Sequence, residues 1–464
     1  MIRRRSGARP LVGARTTAAA VALVTLATAA VADGPAPLGA CGPIARRYDA
    51  VEVSGAQLRG LGGTPLGHVA LLAFRDGRAV PIPFQVDEKR GRKIALDHGK
   101  EPTQDDKPGV LDAEDVVVFL PCDAGERSDD AAATAADAGA SAWREIRLED
   151  PLTHAVAFAY LLVTERPAAS ERRYVAYDPA IDFVSTARYR IGMVKALPNY
   201  FAFVSGNVVG PNLIDGLRLR ADAHLRADLA HWTLNEEQGE HELIAWKAGP
   251  VRLIRRSRHQ VVVGLGIHLT AGLANTFFYP QHVYGPGSLK LPFSPGLLFR
   301  EITAYGGVDC RDLRGWRYFA PGAPAKGFSV DGQMDDAKRA FASSGDWFVL
   351  AHGDQAILFV TRMSENLRHG ITLALLYRDD AAHPNPPERV PGTVPLVGYE
   401  GRGVERLPGG RYTFALHIFT LAGYHRGDER AVLEQLETPL VVTVGPDAQL
   451  SGRAAHGGGR EAAP

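Results

Sequence analysis

The chain has 464 residues, 45% of them hydrophobic, with 52 Lys and Arg against 52 Asp and Glu. That length buries one large core or two without help from disulfides, and the balanced charge excludes a protein built to grip nucleic acid. Gly 50 and Pro 31, spread through the chain, point to many short strands joined by turns.

The N-terminus carries the strongest signal. Arg3, Arg4, Arg5, Arg9 and Arg15 precede the apolar run from Thr16 to Ala32, and Ala30-Val31-Ala32 is a small-x-small cleavage site. This pattern predicts a signal peptide over residues 1–32. The apolar run is short for a membrane span, so none is expected after cleavage. Cleavage removes five arginines and no acid, leaving 47 basic against 52 acidic residues. The expected location is periplasmic or extracellular. Leu38-Gly39-Ala40-Cys41 offers an alternative, a lipid anchor on Cys41, but Asp33, Pro35 and Pro37 separate it from the apolar run. Cys41, Cys122 and Cys310 are an odd set for an oxidising compartment. One disulfide with one free thiol, or no disulfide, fits them; their spacing suits neither a zinc knuckle nor haem attachment.

Strands are predicted at 50–53, 69–74, 81–86, 116–120, 155–163, 184–191, 217–226, 251–263, 347–351, 357–361, 371–378, 412–421 and 440–444. Asp76-Gly77 reads as a hairpin turn, and Pro81 and Pro83 confine the following strand to an edge. The run Pro81-Ile82-Pro83-Phe84-Gln85-Val86-Asp87 resembles a Pro-x-Pro-x-Gln-x-Asp strand in secreted bacterial polysaccharide-processing proteins of the exo-acting rhamnogalacturonan lyase-like type. The resemblance implies an N-terminal β domain followed by a large β-sandwich, and it transfers no catalytic residue. Asp112, Glu114 and Asp115, with Asp105 and Asp106, form an acidic cluster beside a strand, where Ca²⁺ is a candidate ligand. No other cofactor or metal is expected.

Residues 128–141, rich in Ala and Asp, read as a mobile loop. In 217–226 every odd position is apolar and every even one charged or His, which predicts a half-buried strand with a wet face. The strand 251–263 carries Arg252, Arg256 and Arg258 on one face and Arg255 and His259 on the other. Cations on both faces are costly if both are packed, so a bulge rotates the strand, or one face lines a wet cleft, or the arginines pair with Asp and Glu of neighbouring strands. Guanidinium forks match carboxylates, which suggests an acidic sugar. The aromatic segments 275–286, with His282 and Tyr284, and 314–319, with Trp316, read as loop-rich. His417 reads as a structural histidine inside a strand. Short helices are predicted at 429–436, capped by Asp428, and at 335–341.

No stretch alternates strand with long helix, which leaves an all-β fold. A smaller N-terminal β domain is expected over 43–165. A large two-sheet, supersandwich-like β-sandwich follows over 173–445, then a disordered tail over 446–464. The chain lacks a nucleophile elbow, a helical zinc motif and a nucleotide-binding glycine loop. Two functions remain. One is a glycan-binding or glycan-processing protein with a site at Arg255, Arg256, Arg258, His282, Tyr284 and Trp316. As a lyase, it would use a Tyr or His base with Arg256 or Arg258 neutralising charge. The other is a non-catalytic envelope scaffold, adhesin or assembly module with a protein partner.

Overall fold

The computed structural model describes residues 34–226, 230–263, 267–341, 343–383, 393–445 and 448–449. The signal peptide expected at 1–32 and nearly all of the tail lie outside the described residues. The fold is all-β. Among the described residues four α-helices occur, the longest of ten residues, and no helix is long and apolar enough to cross a membrane.

The N-terminal part of the chain builds two sheets around one core. Val51–Ser54 and Phe84–Asp87 flank Val116–Phe119, whose four residues are all buried. A continuous apolar run suits such a central strand. The second sheet runs Arg78–Pro81, Val69–Arg75, Val156–Val163, Ala142–Glu149. Val53, Leu71, Phe119, Ile146 and Leu161 fill the space between them. At the predicted turn Asp76 and Gly77 both have positive φ, 51° and 71°, as a two-residue hairpin turn requires. The predicted strand 81–86 is interrupted. Arg78–Pro81 is the sheet edge, and after Pro83 the chain enters the other sheet as Phe84–Asp87, because neither proline can donate to a continued ladder.

The disulfide Cys41–Cys122 joins the N-terminal segment to the turn after Val116–Phe119, and Cys310 stays free and buried. Residues 128–141 hold a helix, Ala131–Asp137, with Ala131 and Ala135 packed in a cluster with Phe158 and Tyr160. Alanine is the best helix former and is small enough to lie flat on a sheet, so a polar, low-complexity stretch still finds a packed face. The strand Val441–Val444 returns to the N-terminal sheet, with Val444 opposite Ile146, rather than adding to the large body that precedes it in sequence.

The large body stacks a ten-stranded sheet against two five-stranded sheets. The middle of the ten-stranded sheet runs Gln355–Met363, Gly410–Ala422, His282–Leu291, Ile267–Phe278, Leu253–Val263, Gly239–Ala248. One five-stranded sheet spans Val175–Asp178 to Val208–Val209; the other centres on Ile214–Leu225 and Phe299–Cys310. Tyr189, Phe203, Leu253, Phe348, Leu375 and Val397, drawn from all three, share one core. Two predictions need correcting. The loop-rich reading of 275–286 gives way to a hairpin between Ile267–Phe278 and His282–Leu291. The charged face of Ile214–Leu225 is not wholly wet: Arg218 is fully buried, held by Asp309 at 2.7 Å and by Asp215 and Glu236 at 3.2 Å each. Alternating charge on a strand marks ion partners as readily as solvent.

Candidate functional site

His282–Leu291 and Gly410–Ala422 pair with Tyr284 opposite His417 and His282 opposite Phe419. Residues two apart on a strand, and those directly opposite, share a face, so this register gathers four rings. His282 stacks on Phe419 with centroids 4.3 Å apart and on His417 at 5.2 Å, while Tyr284 lies 4.9 Å from His417. His282 Nε2 and His417 Nδ1 are 3.1 Å apart, within hydrogen-bond range. Burial first, then His417, hold His282 well below the usual imidazole range, against a bond to the Tyr48 backbone. Burial first, then Arg362, lower His417 to about 4. Both rings are therefore neutral at pH 7.

Around them opens a hollow of about 330 Å³, walled by Tyr48, Asp49 and Glu52 on one side, Tyr279 on another, and Leu436 and Pro439 on a third. Burial pushes the Tyr48 and Tyr279 hydroxyls up to about 12, so both remain donors. Burial also raises the Asp49 carboxyl, against the pull of Arg46. Arg252 Nη1 reaches Glu52 Oε1 and Tyr279 Oη, each at 2.5 Å.

Tyr284 also lines a second hollow of about 430 Å³, with Asn275, Ser288, Ser364, Arg362 and Arg411. Its origin is visible in the ladder. Among the described residues Ile267–Phe278 and His282–Leu291 pair at two positions, Phe277 with Tyr284 and Phe278 with Val283, with no ladder pair beyond Tyr284. Pro286, which has no N–H to offer, sits where that side of the strand has no ladder to complete.

Arg252 fastens this site to the N-terminal sandwich. Its backbone N–H donates to Gln85 Oε1 at 2.9 Å, its Nε donates to Asp87 Oδ2 at 2.8 Å, and Gln85 Nε2 donates to Asp87 Oδ1 at 2.9 Å. The Gln and Asp of the Pro-x-Pro-x-Gln-x-Asp strand thus form a clamp between the two sandwiches.

The remaining arginines do not converge into a cationic cleft. Arg255 lies on the opposite face of its strand and pairs with Asp182. Arg256 is buried, with Nε donating to Asn275 Oδ1 at 2.8 Å and Nη2 to the Ile94 carbonyl at 3.1 Å. Arg258 meets Glu101 at 2.5 Å and Glu242 at 3.7 Å. Trp316 is core, 6.3 Å from Phe203 and 5.6 Å from His352 between ring centroids. The structure brings His282 and Tyr284 together and places the other four predicted residues elsewhere. Glu52, Asp49, Tyr279 and His417 join them from segments where sequence reasoning saw ordinary strand and aromatic residues. The one local signal was His417, a polar ring between Leu416 and Ile418 in a central strand.

No protein-family model and no curated protein matches the chain. Among solved structures it is similar to an α-mannosidase from Enterococcus faecalis, with 10% identity and a TM-score of 0.46, over 88% of this chain and 45% of that one. It is similar at 10% identity and a TM-score of 0.45 to a glycosyl hydrolase family 38 protein from Enterococcus faecalis, over 88% of this chain and 46% of that one. The chain spans less than half the length of either. At this level of likeness no activity transfers.

Proposed function

We propose that this is an exported carbohydrate-binding and carbohydrate-processing protein whose ligand lies along the ten-stranded sheet over Tyr284. The observation that carries the reading is that two open hollows share that residue. One offers aromatic rings and neutral imidazoles, the other hydroxyls, an amide and Arg411. Apolar surface with a few converging polar groups is what a small-molecule site requires. Arg411 favours a sugar that carries a carboxylate.

The imidazole pair supplies a base. The Tyr48 carbonyl meets His282 and can only accept, so the His282 ring donates there and accepts from His417 Nδ1. His417 is left with a bare Nε2 lone pair at the hollow, positioned to take a proton. Asp49, raised by burial, is the lining carboxyl suited to hold one.

The Cys41–Cys122 disulfide suits an oxidising compartment. It also engages the sulfur that a lipid anchor would need, which favours a free periplasmic or extracellular protein. A panel of neutral and acidic oligosaccharides, offered at millimolar concentration to the purified mature protein with analysis of products, tests the reading. Binding or cleavage of at least one glycan is expected. Silence on every member removes the proposal.

The envelope-scaffold reading keeps one observation in its favour. Phe293, Leu297 and Leu298 are exposed close in sequence to Phe299, which stacks with Trp232 at 6.3 Å. Recovery of a protein partner from native envelopes, lost with Leu297→Asp, would support it.

A further inference from the structure

We infer that the N-terminal sandwich carries a Ca²⁺ site at Asp105, Asp106 and Asp112. One carboxylate oxygen from each lies within 4.8 Å of the other two. Charges of one sign held this close repel one another unless a cation lies among them. The second observation is Asp105 itself. The residue is 6% exposed, its Oδ1 is buried with no hydrogen-bond partner, and its Oδ2 accepts only from the Lys107 backbone N–H, at 3.2 Å. A buried ionised carboxylate is costly unless it is paired or binds a metal. Among the described residues neither Asp105 nor Asp106 forms an ion pair. Lys107 Nζ stands 3.7 Å from Asp112 Oδ2 on a largely exposed side chain, free to swing away.

Neighbouring acids are occupied in ways that build the site. Asp115 Oδ1 accepts from the Lys89 N–H at 3.0 Å and its Oδ2 from the Asp112 N–H at 2.9 Å, and Glu114 Oε2 accepts from the Gly91 N–H at 2.8 Å. Asp115 thereby fixes the backbone that presents Asp112. The side-chain donors are all carboxylate oxygens, on a loop with a glycine at 109, and Asp106 is exposed, giving access from solvent. Hard oxygen ligands on an adjustable loop, completed by carbonyls and water, suit Ca²⁺; a set without His or Cys does not suit zinc or copper. The ion would neutralise Asp105 and tie the segment after Thr103 to the strand that begins at Val116. This site is separate from the glycan hollow, and either stands without the other.

The test uses the purified full mature chain, stripped with chelator and titrated with CaCl₂ alone by calorimetry, with Tm followed in parallel. One ion per chain is expected, with Kd at or below the range of about 10⁻⁴ to 10⁻³ M seen for extracellular modules, and a Tm that climbs with Ca²⁺. Asp106→Asn, at an exposed position with no folding role, and Asp112→Asn weaken binding at least about tenfold, since even outer-shell partners are worth that much. Asp105→Asn gives a crossing that a merely structural residue would not. In chelator its Tm equals or exceeds that of the wild type, because the bare charge is gone, and in saturating Ca²⁺ it falls below. Absence of binding heat and of any Tm change well above the stated range overturns the site, as does wild-type affinity in Asp106→Asn and Asp112→Asn.

Discussion

Arg252 and Asp87 meet at 2.6 Å, Nη2 to Oδ2, with neither side chain more than 1% exposed. They lie in different sandwiches, and the guanidinium that Asp87 holds also orients Glu52 and Tyr279 at the hollow. Removing Asp87 leaves the buried guanidinium only the half-exposed Glu52 as an ionic partner, which costs up to about 3–5 kcal/mol, whereas replacing both Asp87 and Arg252 with apolar side chains of similar volume costs far less. Asp87→Ala is therefore expected to lower unfolding free energy by that amount in urea, and Asp87→Leu with Arg252→Met to recover most of it. A loss below about 1 kcal/mol in Asp87→Ala would mean the clamp is dispensable.

The imidazole pair predicts a pH dependence. His417 titrates near 4 when folded, against a reference of 6.5, and His282 shifts in the same direction. Between those values the unfolded chain binds more protons, so this contribution is whole above pH 6.5 and is lost as pH falls toward 4. His417 contributes up to about 1 kcal/mol per pH unit inside that window. His417→Gln should shrink the fall in Tm between neutral and mildly acidic buffer. An unchanged fall would show that His417 protonates freely in the fold.

Arg256 and Arg258 are neighbours in sequence and differ in consequence. Arg258→Ala removes a solvent-screened ion pair and should leave stability nearly unchanged. Arg256→Ala leaves the Asn275 amide oxygen and the Ile94 carbonyl short of a donor, at about 1–3 kcal/mol. Chemical denaturation of the two variants side by side decides it, and equal losses would contradict the assignment.

The disulfide closes 81 residues of sequence. Cys41→Ala with Cys122→Ala should cost about 2–4 kcal/mol, and the wild type should lose the same amount in reductant. A reductant-insensitive Tm in the wild type would show that the two thiols are not paired.

Elements with a strong local pattern were legible in the sequence. Val116–Phe119 announced itself by an unbroken apolar run and the Asp76-Gly77 turn by its residues; the helix expected over 429–436 forms as Asp428–Glu437, with Gly427 and not Asp428 at its N-cap. The strand His282–Leu291 was not legible, because Gly285, Pro286 and Gly287 look like a turn. They are tolerated since, among the described residues, Ile267–Phe278 makes no ladder pair with them, a property of tertiary register and not of composition. The same limit applies to the site. Tyr284 and His282 stood out as aromatic and polar rings, but their partner His417 is 135 residues from His282 and meets it only through ladder pairing. The arginines stayed open between a cleft and ion pairs for the converse reason: their acids, Asp182 and Glu101, lie 73 and 157 residues away and gave no local sign. On another strand Arg218 reaches Asp309, 91 residues away, in the same manner.

The hollow over Tyr284 is tested most directly by titrating an oligosaccharide that binds into the wild type, Tyr284→Ala and Arg258→Ala, with Tm recorded to show that each is folded. Losing the ring that both hollows share should weaken affinity at least about tenfold, the size of effect expected for a buried aromatic anchor, while Arg258→Ala binds as the wild type does. Equal affinity in all three proteins, or a loss confined to Arg258→Ala, would contradict a ligand lying over Tyr284.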